Sequence, residues 1–397
     1  MTNSTIQKEG LQQLSQTQIL QGLLNFCQQH RMGFAAWKEP GDASIYLIID
    51  DSRSLAIKEE PLESLPEGFI FSPFDRNKQK FFIEAKVKIN VTQKSTVTNT
   101  QQELTEKALQ WLEEQADQLR SSNQSPVLLT EVDATKNYHH LVEKAVDDIK
   151  KGSLQKVVPS RFKKIGLSEN FNPADIFIKL TESYQNSFVS LVFTPQTNTW
   201  LGSSPELLIN TQGAIFKTVA LAGTQAFSTD QSLADVAWTQ KEIEEQALVS
   251  RYIINCFKKI RLREFEEIGP KTVAAGNLIH LKTIYTVDME ATNFPQLGSV
   301  MLELLHPTSA ICGMPLENAL HFINEHEDYD RAFFSGYLGP VNIADTTSIY
   351  VNLRCMQING SHAYLYAGAG ITEDSVPEKE WKETEMKMNT LLNVIKN

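Results

Sequence analysis

Two pairs of glutamates, with the members of each pair three residues apart, are the strongest chemical signal in this sequence. Glu242 and Glu245 lie in a helix predicted over residues 235–260, and Glu380 and Glu383 lie near the start of a predicted C-terminal helix. In each helix the pair lies along or beside the face that continues into apolar residues, so both pairs are predicted to point inward. Inward carboxylates lose hydration and repel one another unless a cation meets them.

The alternative for a single pair is a solvated first helical turn, where acidic side chains interact favourably with the helix dipole. Two such pairs on separate helices are harder to explain in that way. The sequence therefore predicts that the four glutamates share one site for a divalent cation with oxygen ligands, and Mg²⁺ is the ion expected there.

A lysine and a further glutamate are candidates for proton transfer. Lys156 lies in a strand predicted over residues 154–161, on the same face as Leu154 and Val158. Burial favours the neutral amine, which is a usable base, although a lysine at a sheet edge that extends to solvent fits this strand equally well. Glu206 precedes an apolar strand, where burial would raise its pKa and make it a general acid, but surface glutamates are also ordinary at strand starts.

A single arginine interrupts a long apolar run. Arg354 lies in the middle of residues 348–358, and because its guanidinium stays charged, burial requires an anionic partner. That partner is either a bound carboxylate or a glutamate of the core. The strand predicted over residues 217–222 ends in small residues that let a ligand approach the backbone.

Composition limits the classes of function. The 397 residues carry a formal net charge of −11, which argues against a nucleic-acid or anionic membrane surface. The four cysteines are widely spaced among apolar residues and are predicted to be reduced. Without an apolar leader or a stretch of ~20 apolar residues, we expect a cytoplasmic protein, either a monomer or a weak dimer.

Coarse patterning predicts how the chain is organised. No linker rich in proline and glycine divides it, so one large domain with an N-terminal elaboration is expected. Helices are predicted over residues 104–119 and 136–150, and the polar run 92–102 is predicted as an exposed loop. A hairpin is predicted over residues 273–287, with its turn at Gly276-Asn277.

From about Lys151 to the C-terminus, several separated motifs in a fixed order resemble the chorismate-utilising enzymes, most closely the members that form isochorismate. Residues 1–125 match this family only loosely, so residues 126–397 are predicted to be the chorismate-binding catalytic region. The motifs are Lys156 to Arg161, Ser204-Pro205-Glu206, Ala220 to Thr224, the Glu242/Glu245 helix, His306-Pro307-Thr308, Arg354, Gly368-Ala369-Gly370, and Glu380 to Thr384.

The resemblance implies an α+β fold of two subdomains, with facing antiparallel sheets and helices outside. It also implies Mg²⁺ held by Glu245 and Glu383, with Glu242 and Glu380 in support, and chorismate as the small-molecule substrate. Lys156 would then activate water for attack on ring carbon C2, while Glu206 would protonate the departing C4 hydroxyl. The substrate-binding residues that it implies are Ala222, Gly223, Thr224, His306, Thr308, Tyr337, Arg354, Gly368, Ala369 and Gly370.

Other members of the family provide alternatives. Aminating members usually lack the lysine base, and one group has a nucleophilic lysine where this chain has Ala222. Salicylate-forming members share the base and the acid and then eliminate pyruvate, so they are the second candidate. A silent metal-binding protein would not need both Lys156 and Glu206. The chain departs from many relatives at Gln246, where they have histidine, and at Pro159. The product could supply menaquinone or siderophore synthesis.

Overall fold

Two large antiparallel sheets contain most of the strands. This computed structural model describes residues 3–5, 14–57, 60–91, 96–99, 101–121, 130–132, 137–226, 232–275 and 278–396. Within these residues one sheet has 11 strands and the other has 9, and a third, two-stranded pair lies beside them.

The strands are, in chain order, β1 (Asn3–Thr5), β2 (Gly33–Lys38), β3 (Ile45–Asp50), β4 (Ala56–Ile57), β5 (Gly68–Ser72), β6 (Lys80–Glu84), β7 (Val87–Asn90), β8 (Thr96–Asn99), β9 (Thr130–Val132), β10 (Lys156–Val157), β11 (Ser160–Gly166), β12 (Phe188–Thr194), β13 (Asn198–Ser204), β14 (Leu207–Gln212), β15 (Ile215–Ala226), β16 (Glu266–Ala275), β17 (Leu278–Asp288), β18 (Gly313–Met314), β19 (Tyr337–Val341), β20 (Thr346–Val351), β21 (Cys355–Asn359) and β22 (His362–Gly368). The helices are α1 (Gln16–His30), α2 (Gln102–Ser121), α3 (Tyr138–Lys150), α4 (Pro173–Ser183), α5 (Gln240–Lys259), α6 (Leu297–Leu305), α7 (Leu316–His326) and α8 (Pro377–Lys396).

Strands from both ends of the chain are interleaved in each sheet. The first sheet has the order β1-β8-β7-β3-β2-β12-β13-β21-β22-β11-β9, and the second has the order β16-β17-β15-β14-β20-β19-β5-β6-β4. The early strand β2 pairs with β12, and β5 pairs with β19. Strands that precede residue 125 therefore belong to both sheets, and residue 125 itself lies outside the described residues.

An aromatic core fills the space between the sheets. Trp37 and Phe188 of the first sheet pack with Phe69 and Tyr350 of the second, and the rings of Phe188 and Tyr350 stack with centroids 4.1 Å apart. The outer face of the first sheet packs against α1, α2, α4 and α8, and the outer face of the second packs against α5 and α6. The predicted α+β fold, with facing antiparallel sheets and helices outside, is confirmed.

Two further observations concern predictions about the whole chain. The four cysteines are buried and have free thiols. In the described part of the chain, no helix combines the length and the apolar character that crossing a membrane requires.

Two predictions of secondary structure need correction. Residues 92–102, predicted as a loop, contain β8, which pairs with β1 and β7 because alternating threonine and valine favour a strand. The strand predicted over residues 154–161 is divided into β10 and β11, since Pro159 has no N–H for a sheet ladder. Arg354, in the middle of the apolar run 348–358, lies between β20 and β21. The predicted turn at Gly276-Asn277 lies outside the described residues.

The close approach of β19 to β20 generates a prediction about stability. Gly339 has φ of 156°, and a Cβ there would lie 1.9 Å from the carbonyl oxygen of Ser348. We expect Gly339→Ala to lower the free energy of unfolding by about 3 kcal/mol or more, measured by urea denaturation. Gly360→Ala is the control, because Gly360 has φ of 56° but no atom within 4 Å of its Cβ position, and it should cost only about 1–2 kcal/mol. Equal losses in the two variants would contradict the close approach.

Candidate active site

A cavity of about 80 Å³ lies where the two sheets meet α5 and α8. The first sheet contributes residues of β11 and β22, and the second contributes residues of β15 and β17. The predicted site residues that line this cavity are Glu206, Ala222, Gly223, Thr224, Glu245, Arg354, Gly368 and Glu383.

Lys156 forms an ion pair with Glu245, a glutamate of α5 that lines this cavity. Its side chain is 0% exposed, and Nζ donates a hydrogen bond of 2.6 Å to Oε1 of Glu245. Burial alone would raise the pKa of Glu245, but the Lys156 ammonium outweighs it and lowers the pKa to about 2. A Cβ at Gly370 would lie 2.7 Å from Glu245 Oε1 and 2.9 Å from Lys156 Cε. Gly370 therefore has to be a glycine for this pair to form.

An irregularity in β15 brings the backbone to the same glutamate. The pairing of β15 with β17 shifts between Ala222 and Gln225, and Gly223 in this bulge has φ of 70°. The Gly223 N–H donates to Oε2 of Glu245 over 3.3 Å. The small residues predicted to allow a close backbone approach thus hold a carboxylate of the site.

Glu206 has the environment of a proton donor. It is 7% exposed, and burial raises its pKa to about 7, although the charges of Lys156 and Arg354 act in the opposite direction. Its position just before β14 is fixed by its own N–H, which donates to Oγ of Ser204 over 3.3 Å. A carboxyl that is partly protonated near neutral pH can give a proton to a leaving group.

Arg354 is an unpaired cation at the cavity. Among the described residues, its guanidinium has no hydrogen-bond or ion-pair partner, so the core salt bridge considered from the sequence does not form. Burial lowers its pKa to about 10, while Glu383 and Glu206 oppose that shift. Its backbone has φ of 48°, in the left-handed region that side chains other than glycine rarely adopt, and such strain is typical of functional sites.

The remaining glutamates are held by separate partners. Glu383 pairs with Lys387 over 2.7 Å, and Glu380, which is 1% exposed, pairs with Lys241 over 2.7 Å. Glu242 accepts hydrogen bonds from N and Oγ1 of Thr239 and caps α5. Glu242 and Glu380 therefore lie on the predicted helices but do not line the cavity.

Three other predicted binding residues lie elsewhere. His306 and Tyr337 line a second cavity of about 460 Å³ that α6 and β5 also border. His306 still approaches the first cavity, because its Nε2 lies 3.2 Å from the carbonyl oxygen of Ser335. Thr308 is buried, and its Oγ1 accepts a hydrogen bond from the N–H of Ala310.

The predicted metal can be tested against the oxygen atoms of the site. Oε2 of Glu380 is buried without a hydrogen-bond partner. The negative charges of Glu380, Glu383 and Glu245 raise the pKa of Lys241, although burial lowers it. Three carboxylates therefore interact electrostatically with the same ammonium group. Among the described residues, no three acidic, histidine or cysteine side chains form a group that could hold a metal ion. Each of these three carboxylates is instead paired with a lysine. The donors fit Mg²⁺ in kind, and lysines neutralise them here.

Two residues that the sequence reasoning missed contribute to the cavity. His280 of β17 lines it, with Nδ1 2.8 Å from the carbonyl oxygen of Gly223 and Nε2 buried without a partner. Burial lowers its pKa to about 3, so the imidazole is neutral. The other is Lys387, whose Nζ also donates to the carbonyl oxygen of Gly368 over 2.8 Å. Its spacing of four residues from Glu383 was a usable signal.

Arg161 anchors the helix that carries Glu380 and Glu383. Its side chain is 0% exposed and lies 3.6 Å from the centroid of the Trp381 ring. Its Nε donates to Oγ1 of Thr384 over 2.7 Å, and it also pairs with Glu385. These contacts fix the start of α8 against β11, and with it the orientation of both acidic side chains. On α5, Gln246 has the corresponding role, since its Nε2 donates to Oγ1 of Thr283 over 3.0 Å.

The fold and the site now define a class of protein: an α+β protein in which a carboxyl of raised pKa and an arginine without a partner among the described residues line one cavity, beside a buried lysine. A family model of the chorismate binding enzymes matches residues 68–396, and the chain belongs to this family.

Curated relatives and solved structures agree with this assignment. The chain is 28% identical over 245 residues to the vibriobactin-specific isochorismate synthase of Vibrio cholerae, a match that covers 60% of this chain and 61% of that relative. A putative 2,3-dihydroxybenzoate-specific isochorismate synthase, DhbC, of Bacillus anthracis has a similar fold, with a TM-score of 0.72 at 23% identity, and the alignment covers 93% of this chain and 97% of the other. MenF, the menaquinone-specific isochorismate synthase of Escherichia coli, gives 0.73 at 21% identity, with coverage of 100% and 94%.

The raised pKa of Glu206 leads to a prediction about stability and pH. The folded state keeps this proton up to about pH 7, whereas an ordinary carboxyl loses it near pH 4.5, so ionisation destabilises the folded protein as pH rises between these values. Glutamine imitates the protonated form. We expect the free energy of unfolding of Glu206→Gln, relative to wild type, to rise by up to roughly 3 kcal/mol between pH 5 and pH 8.

Urea denaturation at several pH values measures this difference. Glu169→Gln is the control for the same change of side chain at an exposed position. A pH-independent difference for Glu206→Gln would show that Glu206 ionises like a surface carboxyl.

Proposed function

We propose that this protein is an isochorismate synthase, which converts chorismate reversibly into isochorismate with the help of Mg²⁺. The observation that carries the proposal is the meeting, around one cavity, of a carboxyl with a pKa of about 7 and an arginine without a protein partner. The similarity to isochorismate synthases supports it. The reported relatives are named for vibriobactin, 2,3-dihydroxybenzoate and menaquinone. We propose isochorismate as the product, whichever of these three compounds the product is used for.

The substrate carries two carboxylates into a protein of net charge −11, so it needs local cations. Arg354 supplies one, because its guanidinium is at the cavity and none of the described residues pairs with it. We assign it to the enolpyruvyl carboxylate, next to the backbone at Gly368. Glu245 and Glu383 would hold a bound Mg²⁺, which would supply the second positive charge for the ring carboxylate of the substrate.

Exchange of one hydroxyl for another requires a base and an acid. Glu206 gives its proton to the C4 hydroxyl as that group departs from the ring. Lys156 takes a proton from the water that attacks C2. For this step its Nζ must release the hydrogen bond that it donates to Glu245. In the reverse direction the two residues exchange these roles.

The direct test of the proposal is a product analysis. Purified protein is incubated with chorismate and Mg²⁺, and isochorismate, salicylate, anthranilate and pyruvate are separated by chromatography. Isochorismate without pyruvate supports the proposal. Stoichiometric salicylate and pyruvate would instead identify a salicylate synthase, the second candidate from the sequence.

Lys156 and Glu206 are each expected to act mainly in the transition state. Lys156→Ala and Glu206→Gln should therefore lower kcat by ~10²-fold or more, in both directions, with little change in KM. Steady-state kinetics measure this change, and melting temperatures show whether the variants fold normally. Lys151→Ala is the control, because Lys151 is exposed beyond the end of α3 and should keep wild-type kinetics. A Lys156→Ala variant with wild-type turnover would remove lysine from the mechanism.

Activity is expected to depend on Mg²⁺ through the glutamates of both helices. Glu245→Gln and Glu383→Gln should each raise the Mg²⁺ concentration needed for half-maximal activity by about 10-fold or more, because each removes an anionic ligand. Glu244→Gln is the matched control, since this exposed neighbour on α5 points away from the cavity. Full activity of the wild type in EDTA-treated buffer would disprove the metal requirement.

A further inference from the structure

Lys241 connects the two helices that carry the acidic pairs. It lies in the first turn of α5, and its Nζ donates to Oε1 of Glu380 on α8 over 2.7 Å. Glu380 is 1% exposed, and its other oxygen, Oε2, has no hydrogen-bond partner. The Lys241 ammonium thus neutralises the buried Glu380 carboxylate, but it donates a hydrogen bond to only one of the two carboxylate oxygens.

The three lysines that neutralise the site differ in how easily they can leave it. The side chain of Lys156 is 0% exposed and that of Lys387 is 18% exposed, whereas that of Lys241 is 36% exposed. Lys387 also donates a hydrogen bond to the carbonyl oxygen of Gly368, whereas Glu380 is the single hydrogen-bond partner of Lys241 in the described part of the chain. A flexible lysine at the rim can turn its ammonium into water while its stem stays in place.

We propose that Lys241 is a displaceable internal counter-ion, which occupies Glu380 until a divalent cation binds and then moves to solvent. This inference rests on the Mg²⁺ site proposed above. Glu383 and Glu245 act on the same ammonium, so a cation that binds these carboxylates competes with Lys241 for one region of negative charge. When no metal is bound, Lys241 neutralises the carboxylates. Because Mg²⁺ has to displace Lys241, the apparent affinity for Mg²⁺ is weaker.

Removal of the lysine charge should therefore strengthen metal binding. Without substrate, we expect Lys241→Met to bind Mg²⁺ about 5–10-fold more tightly than wild type, measured by titration calorimetry. The variant should melt at a lower temperature than wild type without metal, because Glu380 is then buried and unpaired. Saturating Mg²⁺ should raise its melting temperature by more than it raises that of wild type.

Two further variants isolate the cause. Lys382→Met is the matched control, because Lys382 is an exposed lysine on α8 that pairs with Glu378, and its Mg²⁺ affinity should equal that of wild type. Lys241→Met combined with Glu380→Gln removes both partners. This double variant should regain the metal-free melting temperature and lose the gain in Mg²⁺ affinity.

The outcomes separate this inference from the proposed metal site. Equal or weaker Mg²⁺ binding by a folded Lys241→Met variant would overturn the inference and leave the metal site in place. If that variant does not fold, Lys241→Arg provides the test. A guanidinium held by both Glu380 oxygens should weaken Mg²⁺ binding. An unchanged Mg²⁺ affinity of Lys241→Arg would overturn the inference. If neither wild type nor any variant binds Mg²⁺, the metal site is wrong and the inference fails with it.

Discussion

A charged lysine cannot be buried completely unless an anion meets it, and much of this site follows from how that requirement is satisfied for Lys156. Its partner Glu245 is on a helix, so β10 and α5 must lie close enough for these two side chains to meet. Glycines make this possible. A Cβ at Gly313 would lie 2.3 Å from the carbonyl oxygen of Lys156, and one at Gly370 would overlap the ion pair itself. Gly313 lies in β18, which pairs with β10.

The same constraint explains why cations and carboxylates are matched so closely here. Three glutamates at the meeting point of α5 and α8 each have a lysine partner, while Glu206 has no such partner among the residues that the structure describes and has a raised pKa. Arg354 is the counterpart, a cation that pairs with no anion in the same residues. An uncompensated acid and an uncompensated cation at one cavity are costly for stability, and they are the groups that an anionic substrate with a leaving hydroxyl would use.

The sequence predicted most reliably the features that depend on one helix at a time. Helical periodicity placed Glu245 and Glu383 on inner faces, because each helix packs one side against a sheet. It could not show that Lys241 would reach Glu380, since that contact joins residues 139 positions apart. The sequence could not show that His306 and Tyr337 line the second cavity, because order along the chain does not tell which cavity a side chain borders.

The central claim is that the ring loses its C4 hydroxyl and gains a new one from water at C2. The most direct measurement is the reaction of chorismate in H₂¹⁸O with the native enzyme and Mg²⁺, followed by mass spectrometry of the product at early times. The account predicts that isochorismate carries one ¹⁸O atom, located at C2. Isochorismate without the label would mean that the original hydroxyl migrates within the substrate, and it would contradict the assignment of Lys156 as the base that activates water.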